Sequence, residues 1–279
     1  MVQLNKESNT NTKKSSRRWR ELVYPSAMPQ AMQDFFLTVA GITQFTGQFF
    51  KEVWKPPYEL GEILKQAYNL GVNSLSLVSI SGFIMGIVLT LQTRPTLSEF
   101  GAESYIPAMV SIAIIREIGP VITAMICAGK VGSGIGAELG SMKVTEQIDA
   151  MEVSGTKPFN YLVVTRVLAI TMMLPLLVFY TDAVGLIGSY VGVNIQDNVS
   201  LILFFTNAMD SVSYVDIISA TSKSFLFGFA IGIVGCYKGY HASKGTVGVG
   251  EAANSAVVTA SLLIFIIDMI AVQITQFFI

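Results

Sequence analysis

The sequence predicts an all-α polytopic membrane protein, in which an N-terminal interfacial amphipathic helix precedes five transmembrane helices. Of its 279 residues, 52% are hydrophobic and only 13% are charged, whereas a soluble domain carries about 25% charged residues. The apolar residues are also gathered into runs of about 20 residues, which is the length that crosses a bilayer as a helix. The net charge of −1 gives no indication of a nucleic-acid partner, and we expect none.

The N-terminal region is polar and basic. Residues 1–30 contain five basic side chains between Lys13 and Arg20, and no apolar core follows them directly. A signal peptide requires such a core. We therefore predict a disordered basic cytosolic tail over residues 1–30 and a single membrane domain over residues 31–279.

The first apolar segment has helical periodicity and one polar side, so we predict a helix over residues 34–54 that lies in the membrane interface. Trp54 and Lys55 would anchor it at the headgroups, and Pro56 with Pro57 would end it. The alternative is a sixth span, which the interspersed polar side chains disfavour. The apolar side consists of Phe35, Val39, Ile42, Phe45, Phe49 and Val53.

Five longer apolar runs are predicted to cross the membrane. Pro120 and Pro175 should kink the second and third of them. Arg94 is the one basic residue in a predicted outer loop, so the positive-inside rule puts the N-terminus in the cytosol and the C-terminus on the opposite side of the membrane. The predicted spans cover residues 72–91, 105–129, 161–193, 217–237 and 253–279.

Two adjacent charges, Arg116 and Glu117, lie near the centre of the predicted second span. A charge at mid-bilayer costs roughly 2.5–3.5 kcal/mol, so the pair must face a packed interior or a wet cavity. Neighbouring residues point about 100° apart on a helix, so the two cannot face one partner squarely. Lys223 in the fourth span is a candidate partner for Glu117. Such a cluster either fixes helix register as a buried ion pair or forms a polar wall of a substrate cavity, and we favour the cavity.

Two further carboxyl groups, Asp182 and Asp268, lie in predicted spans without a cation nearby in sequence. They are either proton carriers or side chains that hydrogen-bond to backbone or water near a helix end. We favour the second interpretation.

The sequence offers no catalytic machinery of its own. The stretch 239–244 has the lysine of a phosphate-binding loop but lacks its second glycine, and glycines 132, 134 and 136 match no dinucleotide motif. We interpret those glycines as a flexible or tightly packed helix end. We therefore expect no enzyme activity. We also expect no metal site, because His241 has no second histidine or cysteine to join it. Cys127 and Cys236 fit small buried hydrophobic positions.

A polar segment over residues 130–160 connects the second and third spans, and its part over residues 144–153 suits a short helix closed by Ser154 and Gly155. This helix either docks into a groove on a partner or is a solvated surface loop, and the residue pattern leaves the two open. Its polar side chains are Thr145, Glu146, Gln147, Asp149 and Glu152.

Four motifs, in order, resemble the MlaE/YrbE permease family, the membrane subunits of ABC transporters that work with MCE proteins. They are REIGPV at 116–121, AGKVGS at 128–133, AELGSM at 137–142 and TEQIDAM at 145–151. The resemblance is densest over residues 105–160 and extends across roughly residues 30–279 through the five-span plan. Lys130 stands where an arginine is common, which retains the positive charge.

The resemblance implies that residues 31–279 form the permease domain of a homodimer in the inner membrane of a diderm bacterium. It implies an ATP-binding subunit under each copy, an MCE-domain partner, and phospholipid moved between the inner and outer membranes. ATP would be bound by the partner, with no cofactor in this chain. The helix at 144–153 would couple to the ATPase, Glu117 would lie at a lipid cavity between the subunits, and Arg116 and Lys223 would occupy charged positions of the same region.

Two other functions compete with this one. A proton-coupled secondary transporter would use Asp182, Glu117 and Asp268 as a relay. A membrane scaffold for an extracytoplasmic lipid-binding protein would not transport and would tolerate loss of Glu117. Co-purification with an ATP-binding protein distinguishes the permease from the secondary transporter.

Overall fold

The computed structural model describes residues 30–56, 59–195 and 198–277, and all regular structure in them is helical. The prediction of an all-α polytopic membrane protein is confirmed, because five of the helices are long and apolar enough to cross a membrane. The tail predicted for residues 1–30 lies outside the described residues except for Gln30. We number the helices α1 (Gln30–Glu52), α2 (Leu60–Glu99), α3 (Glu103–Val144), α4 (Gln147–Val153), α5 (Phe159–Asn194), α6 (Leu201–Asp210), α7 (Tyr214–Tyr240) and α8 (Thr246–Gln276).

The chain divides into two compact units, Met1–Gln48 and Phe49–Ile279. The described part of the first unit is most of α1, a single helix. It ends at Glu52, two residues before the predicted end, because Pro56 disfavours helical backbone at the residue before it. Trp54 therefore lies in the turn that follows the helix, and Lys55 pairs with Glu52 at 2.7 Å. The interfacial location of α1 stays a prediction.

The five long helices exceed the predicted spans at both ends, except that α8 stops at Gln276. Helices α2 and α3 contain 40 and 42 residues, or about 60 Å of helix at 1.5 Å per residue, against a hydrocarbon core of about 30 Å. The loop predicted for residues 93–104 is accordingly mostly helix. The prediction made both helices too short here because the side chains are polar, and a hydropathy pattern identifies only the part of a helix that lies in lipid.

The first half of the predicted polar segment, residues 130–160, is also helix. It continues α3 to Val144, and two of its glycines face α8 closely: Gly136 lies against Ala252 and Ala256, and Gly140 lies against Val249. Of the glycines at 132, 134 and 136, the first and the last are packed against other helices, whereas nothing lies within 4 Å of Gly134. All three lie inside α3 and not at its end. Helices in membranes associate through small residues, which let backbones approach closely.

The break after α3 is sharp because Glu146 has a left-handed backbone, with φ of +60°. The short helix predicted for residues 144–153 therefore begins at Gln147, and Thr145 and Glu146 lie in the turn before it. A left-handed residue cannot continue a right-handed helix. The connection between the predicted third and fourth spans contains α6, which was not predicted because its ten residues are too short for a span.

Glycines also set the contact between α2 and α5. A Cβ atom at Gly86 would overlap the backbone carbonyl oxygen of Gly185 and come within 2.8 Å of the Ser189 nitrogen. Between α5 and α7, Gly228 and Gly232 lie against residues 167–171, and their GxxxG spacing is the pattern that lets two membrane helices approach closely. Helix α5 is the most enclosed of the five and α8 the least.

The variant Gly86→Ala is expected to lower the free energy of unfolding by about 1–3 kcal/mol, because the added methyl group meets backbone that cannot move aside. The matched variant Gly134→Ala adds the same group in α3, where nothing lies within 4 Å, and should leave stability unchanged or slightly higher. Thermal unfolding in detergent measures both. Equal midpoints for the two variants would contradict the proposed close contact.

Candidate functional site

The helix α3 widens where the charged pair lies. Residues Ile114–Ile118 form a π-helical turn, and α-helical geometry resumes at Gly119 with Pro120 in its first turn. Proline has no N–H, so it cannot bond to the carbonyl oxygen of Arg116 four residues earlier. Pro120 therefore leaves a backbone acceptor of the membrane-spanning helix short of its usual donor. The kink predicted at Pro120 stays a prediction.

Lys223 of α7 supplies a donor. Its ammonium nitrogen lies 2.7 Å from the Arg116 carbonyl oxygen, 3.0 Å from Glu117 Oε2 and 3.0 Å from Asp268 Oδ1 of α8. A lysine ammonium has three donors, and each has an acceptor here. Lys223 is only 1% exposed, so this buried cation is held by partners from two other helices. The predicted contact between Lys223 and Glu117 is present.

Arg116 turns to a different partner. Its Nη2 atom lies 2.6 Å from Asp216 Oδ1, and its Nε donates to the same oxygen at 2.8 Å. The other oxygen of Asp216 accepts from the Ser213 backbone N–H at 3.1 Å, which forms a capping box at the start of α7. Buried Asp216 thus joins a helix cap to an ion pair. Arg116 and Glu117 face separate partners, as their angular spacing predicts.

Two features of this cluster differ from the predictions. Asp268 pairs with Lys223, so its interpretation as a side chain bonded only to backbone or water is wrong. Asp216 was assigned to a loop, although the pattern Ser213-x-x-Asp216 is a capping signal that could have indicated it.

The charges differ in how accessible they are. The side chains of Lys223 and Asp216 are each 2% exposed, whereas those of Arg116 and Glu117 are 34% and 35% exposed. The buried members hold the exposed ones in place. What a ligand meets at this site is therefore a guanidinium and a carboxylate from neighbouring residues.

A groove of about 440 Å³ opens beside the cluster, between the first half of α7 and the second half of α8. Lys223 belongs to both the groove wall and the charge cluster. Ser219 and Thr275 bond across it at 2.6 Å, and most of the remaining wall is aliphatic. The lining residues are Val215, Ile218, Ser219, Ser222, Lys223, Leu226, Ala271, Ile274 and Thr275.

Asp182 lies in the interior of α5, not near a helix end, so the favoured sequence interpretation is wrong for it. Its Oδ1 atom stands over Gly119, where a Cβ atom would collide with it. Among the described residues, no hydrogen-bond donor reaches this buried oxygen. The glycine is thus required by the carboxyl group above it.

A buried arginine ties α3 to α5 and was not singled out in the sequence. Arg166 is 4% exposed, and its Nη2 atom lies 2.7 Å from Glu138 Oε1. Its Nη1 donates to the Leu162 carbonyl oxygen at 2.9 Å, inside the π-helical first turn of α5. Glu138 belongs to the AELGSM motif, which gives that motif a structural role.

The predicted coupling residues lie on the surface beyond the other end of α3. Ile148 is 1% exposed and holds α4 to the protein, while Asp149 pairs with Lys143 at 2.8 Å. The segment begins 28 residues after Glu117, or about 40 Å along a helix. The exposed set is Thr145, Glu146, Gln147, Asp149 and Glu152.

Comparison with known proteins adds an independent finding. The family model described as Permease MlaE matches residues 63–274. A probable ABC transporter permease protein of Rickettsia typhi is 41% identical over 212 residues, covering 76% of this chain and 82% of that protein. A probable ABC transporter permease protein of Synechocystis is 36% identical and covers 79% and 84%. The intermembrane phospholipid transport system permease protein of Haemophilus influenzae is 33% identical over 249 residues, covering 88% and 94%.

Proposed function

This chain belongs to the MlaE permease family, and we propose from that premise that it is the membrane subunit of an ATP-driven transporter that moves phospholipid. The observation that carries the proposal is the charge cluster of Arg116, Glu117 and Lys223 beside an apolar groove in membrane-spanning helices. A phospholipid has apolar tails and a charged headgroup, so its site needs an apolar wall with a few placed charges.

The energy would come from a separate ATP-binding subunit, which would bind the ATP, so that this chain would need no cofactor of its own. The exposed residues Thr145, Glu146, Gln147, Asp149 and Glu152 would contact that subunit. Rotation or displacement of α4 would be transmitted along α3, a helix that connects the α4 turn to the charged pair. The movement would then widen or narrow the site at Arg116 and Glu117.

We extend the proposal to the assembly. The N-terminus and α4 would face the cytosol and the C-terminus the periplasm, in the inner membrane of a diderm bacterium. Two copies would form a homodimer, and an MCE-domain protein would receive or deliver lipid on the periplasmic side. Helix α8 exposes large apolar side chains, which a second copy or lipid would cover. They include Leu262, Phe265, Ile266, Met269 and Ile270.

Replacing Glu117 by alanine tests the site. The phospholipid that co-purifies with the protein should fall several-fold, and the outer membrane of cells that depend on this chain should become permeable to detergent. Lys223 keeps Asp268 as a partner in this variant, so expression should be normal. Mass spectrometry of extracted lipid and a detergent-sensitivity assay provide the measurements.

The control is Glu103→Ala, which removes an exposed carboxylate from the start of the same helix. It should leave both measurements unchanged. If Glu117→Ala behaves like this control at equal expression, the cluster serves helix register and not substrate. A chain that transports lipid without any ATP-binding partner would instead support the proton-coupled alternative.

A further inference from the structure

The charge cluster contains more carboxyl groups than basic groups. Its two cations, Arg116 and Lys223, are enclosed by three carboxylates, Glu117, Asp216 and Asp268, through contacts of 2.6–3.0 Å. With each group in its ordinary ionised form, one negative charge is in excess. Removal from water makes an excess charge costly, and a nearby positive charge on a ligand would offset it.

The accessible groups of the cluster carry opposite charges. Glu117 bonds to Lys223 through Oε2, and its carboxyl group also lies within hydrogen-bonding reach of Asp268. Arg116 bonds to Asp216 through Nε and Nη2, which leaves its Nη1 without a bond in the described part of the chain. Both side chains are about one-third exposed. The site therefore presents a guanidinium N–H donor and a carboxylate acceptor on adjacent residues.

We propose that this site selects a zwitterionic phospholipid headgroup, with the phosphate at Arg116 and the ammonium at Glu117. The proposal rests on the proposed function and concerns only which lipid is preferred. A headgroup with phosphate alone would add a second excess negative charge beside Glu117 and Asp268. A zwitterion adds none, and its ammonium meets Glu117, the more exposed of the two carboxylates that contact Lys223.

Asp268 strengthens the preference for a cationic group. Its side chain is 19% exposed, and it shares Lys223 with Glu117, so two carboxylates draw on one buried cation. The lysine is fully engaged and cannot turn to a lipid phosphate without breaking one of its three bonds. Arg116 is then the phosphate ligand and Glu117 the specificity-determining residue.

The experiment offers the full-length protein an equimolar mixture of phosphatidylethanolamine and phosphatidylglycerol with identical acyl chains in detergent micelles. After repurification, mass spectrometry measures the ratio of the two retained lipids. The wild type should prefer phosphatidylethanolamine by on the order of tenfold. Glu117→Gln should bring the ratio close to one, because it removes the ammonium partner and keeps the shape of the side chain.

Two further variants make the result specific. Glu117→Asp keeps the charge and should retain most of the preference, and Glu103→Gln makes the same neutral change at an exposed position of α3 and should retain all of it. A wild-type ratio near one, or a ratio that Glu117→Gln leaves unchanged, would overturn the proposed selectivity while lipid binding stands. Retention of neither lipid by the wild type would overturn the proposed function together with the selectivity.

Discussion

Replacing Lys223 by methionine is expected to lower the free energy of unfolding by about 3–5 kcal/mol. The lysine stem is buried, so methionine fills most of the same space, but the ammonium group is lost. Glu117 and Asp268 then remain close together without the cation that separates them, and the Arg116 carbonyl oxygen loses its donor. Breaking a buried ion pair by removing one partner costs far more than the pair contributes to stability, because the remaining charge stays desolvated.

The midpoint of thermal unfolding in detergent measures this effect. Lys65→Met is the matched control, since Lys65 of α2 is 68% exposed and lies 3.7 Å from Glu62, an arrangement worth about 0–1 kcal/mol. The triple variant Lys223→Met, Glu117→Gln, Asp268→Asn removes the uncompensated charges and should recover much of the loss. If Lys223→Met unfolds at the same temperature as Lys65→Met, the cluster is not the buried network described above.

Reversing two charges, Glu146→Lys together with Asp149→Lys, is expected to reduce co-purification of the ATP-binding subunit to less than about a tenth of the wild-type amount. Both carboxylates are exposed. Their replacement by lysine changes the charge of this small surface by four units, from two negative charges to two positive ones. Like charges at an interface suppress association strongly. The protein should still be inserted in the membrane, because Ile148 keeps its buried position and α3 and α5 are untouched.

Asp149 also pairs with Lys143, so its reversal removes one intramolecular contact. The double variant Glu99→Lys, Glu103→Lys serves as the control, because it also reverses two exposed carboxylates. Glu99 is the last residue of α2 and Glu103 is the first residue of α3, so both lie at the end of α3 that is remote from α4. This control should co-purify with the ATPase normally. Undiminished association of the Glu146 and Asp149 variant would rule out coupling through α4.

The sequence predicted the parts of the site whose signal is local. A charged pair inside an apolar run indicates a site in any membrane protein, and the adjacency of Arg116 and Glu117 implies separate partners. Asp216 and Asp268 could not be assigned in the same way. Asp216 pairs with a cation 100 residues away in sequence, and Asp268 pairs with one 45 residues away, each on another helix. Only the packing of the helices decides which of these side chains meet.

Composition and hydropathy by themselves determined the fold class, the number of long spans and the helix on which the charged pair lies, because the bilayer imposes length and polarity on each helix separately. The tertiary structure alone decided how far each helix extends beyond the lipid, which glycines form helix contacts, and how five charged side chains are partnered. Those features depend on close approach between helices, where one added methyl group or one missing N–H changes the outcome. In the sequence, the charged pair is a costly feature. In the structure, it is the accessible part of a buried network around the cation Lys223. Lys223 also donates to the backbone oxygen of Arg116, to which Pro120 cannot donate because it has no N–H.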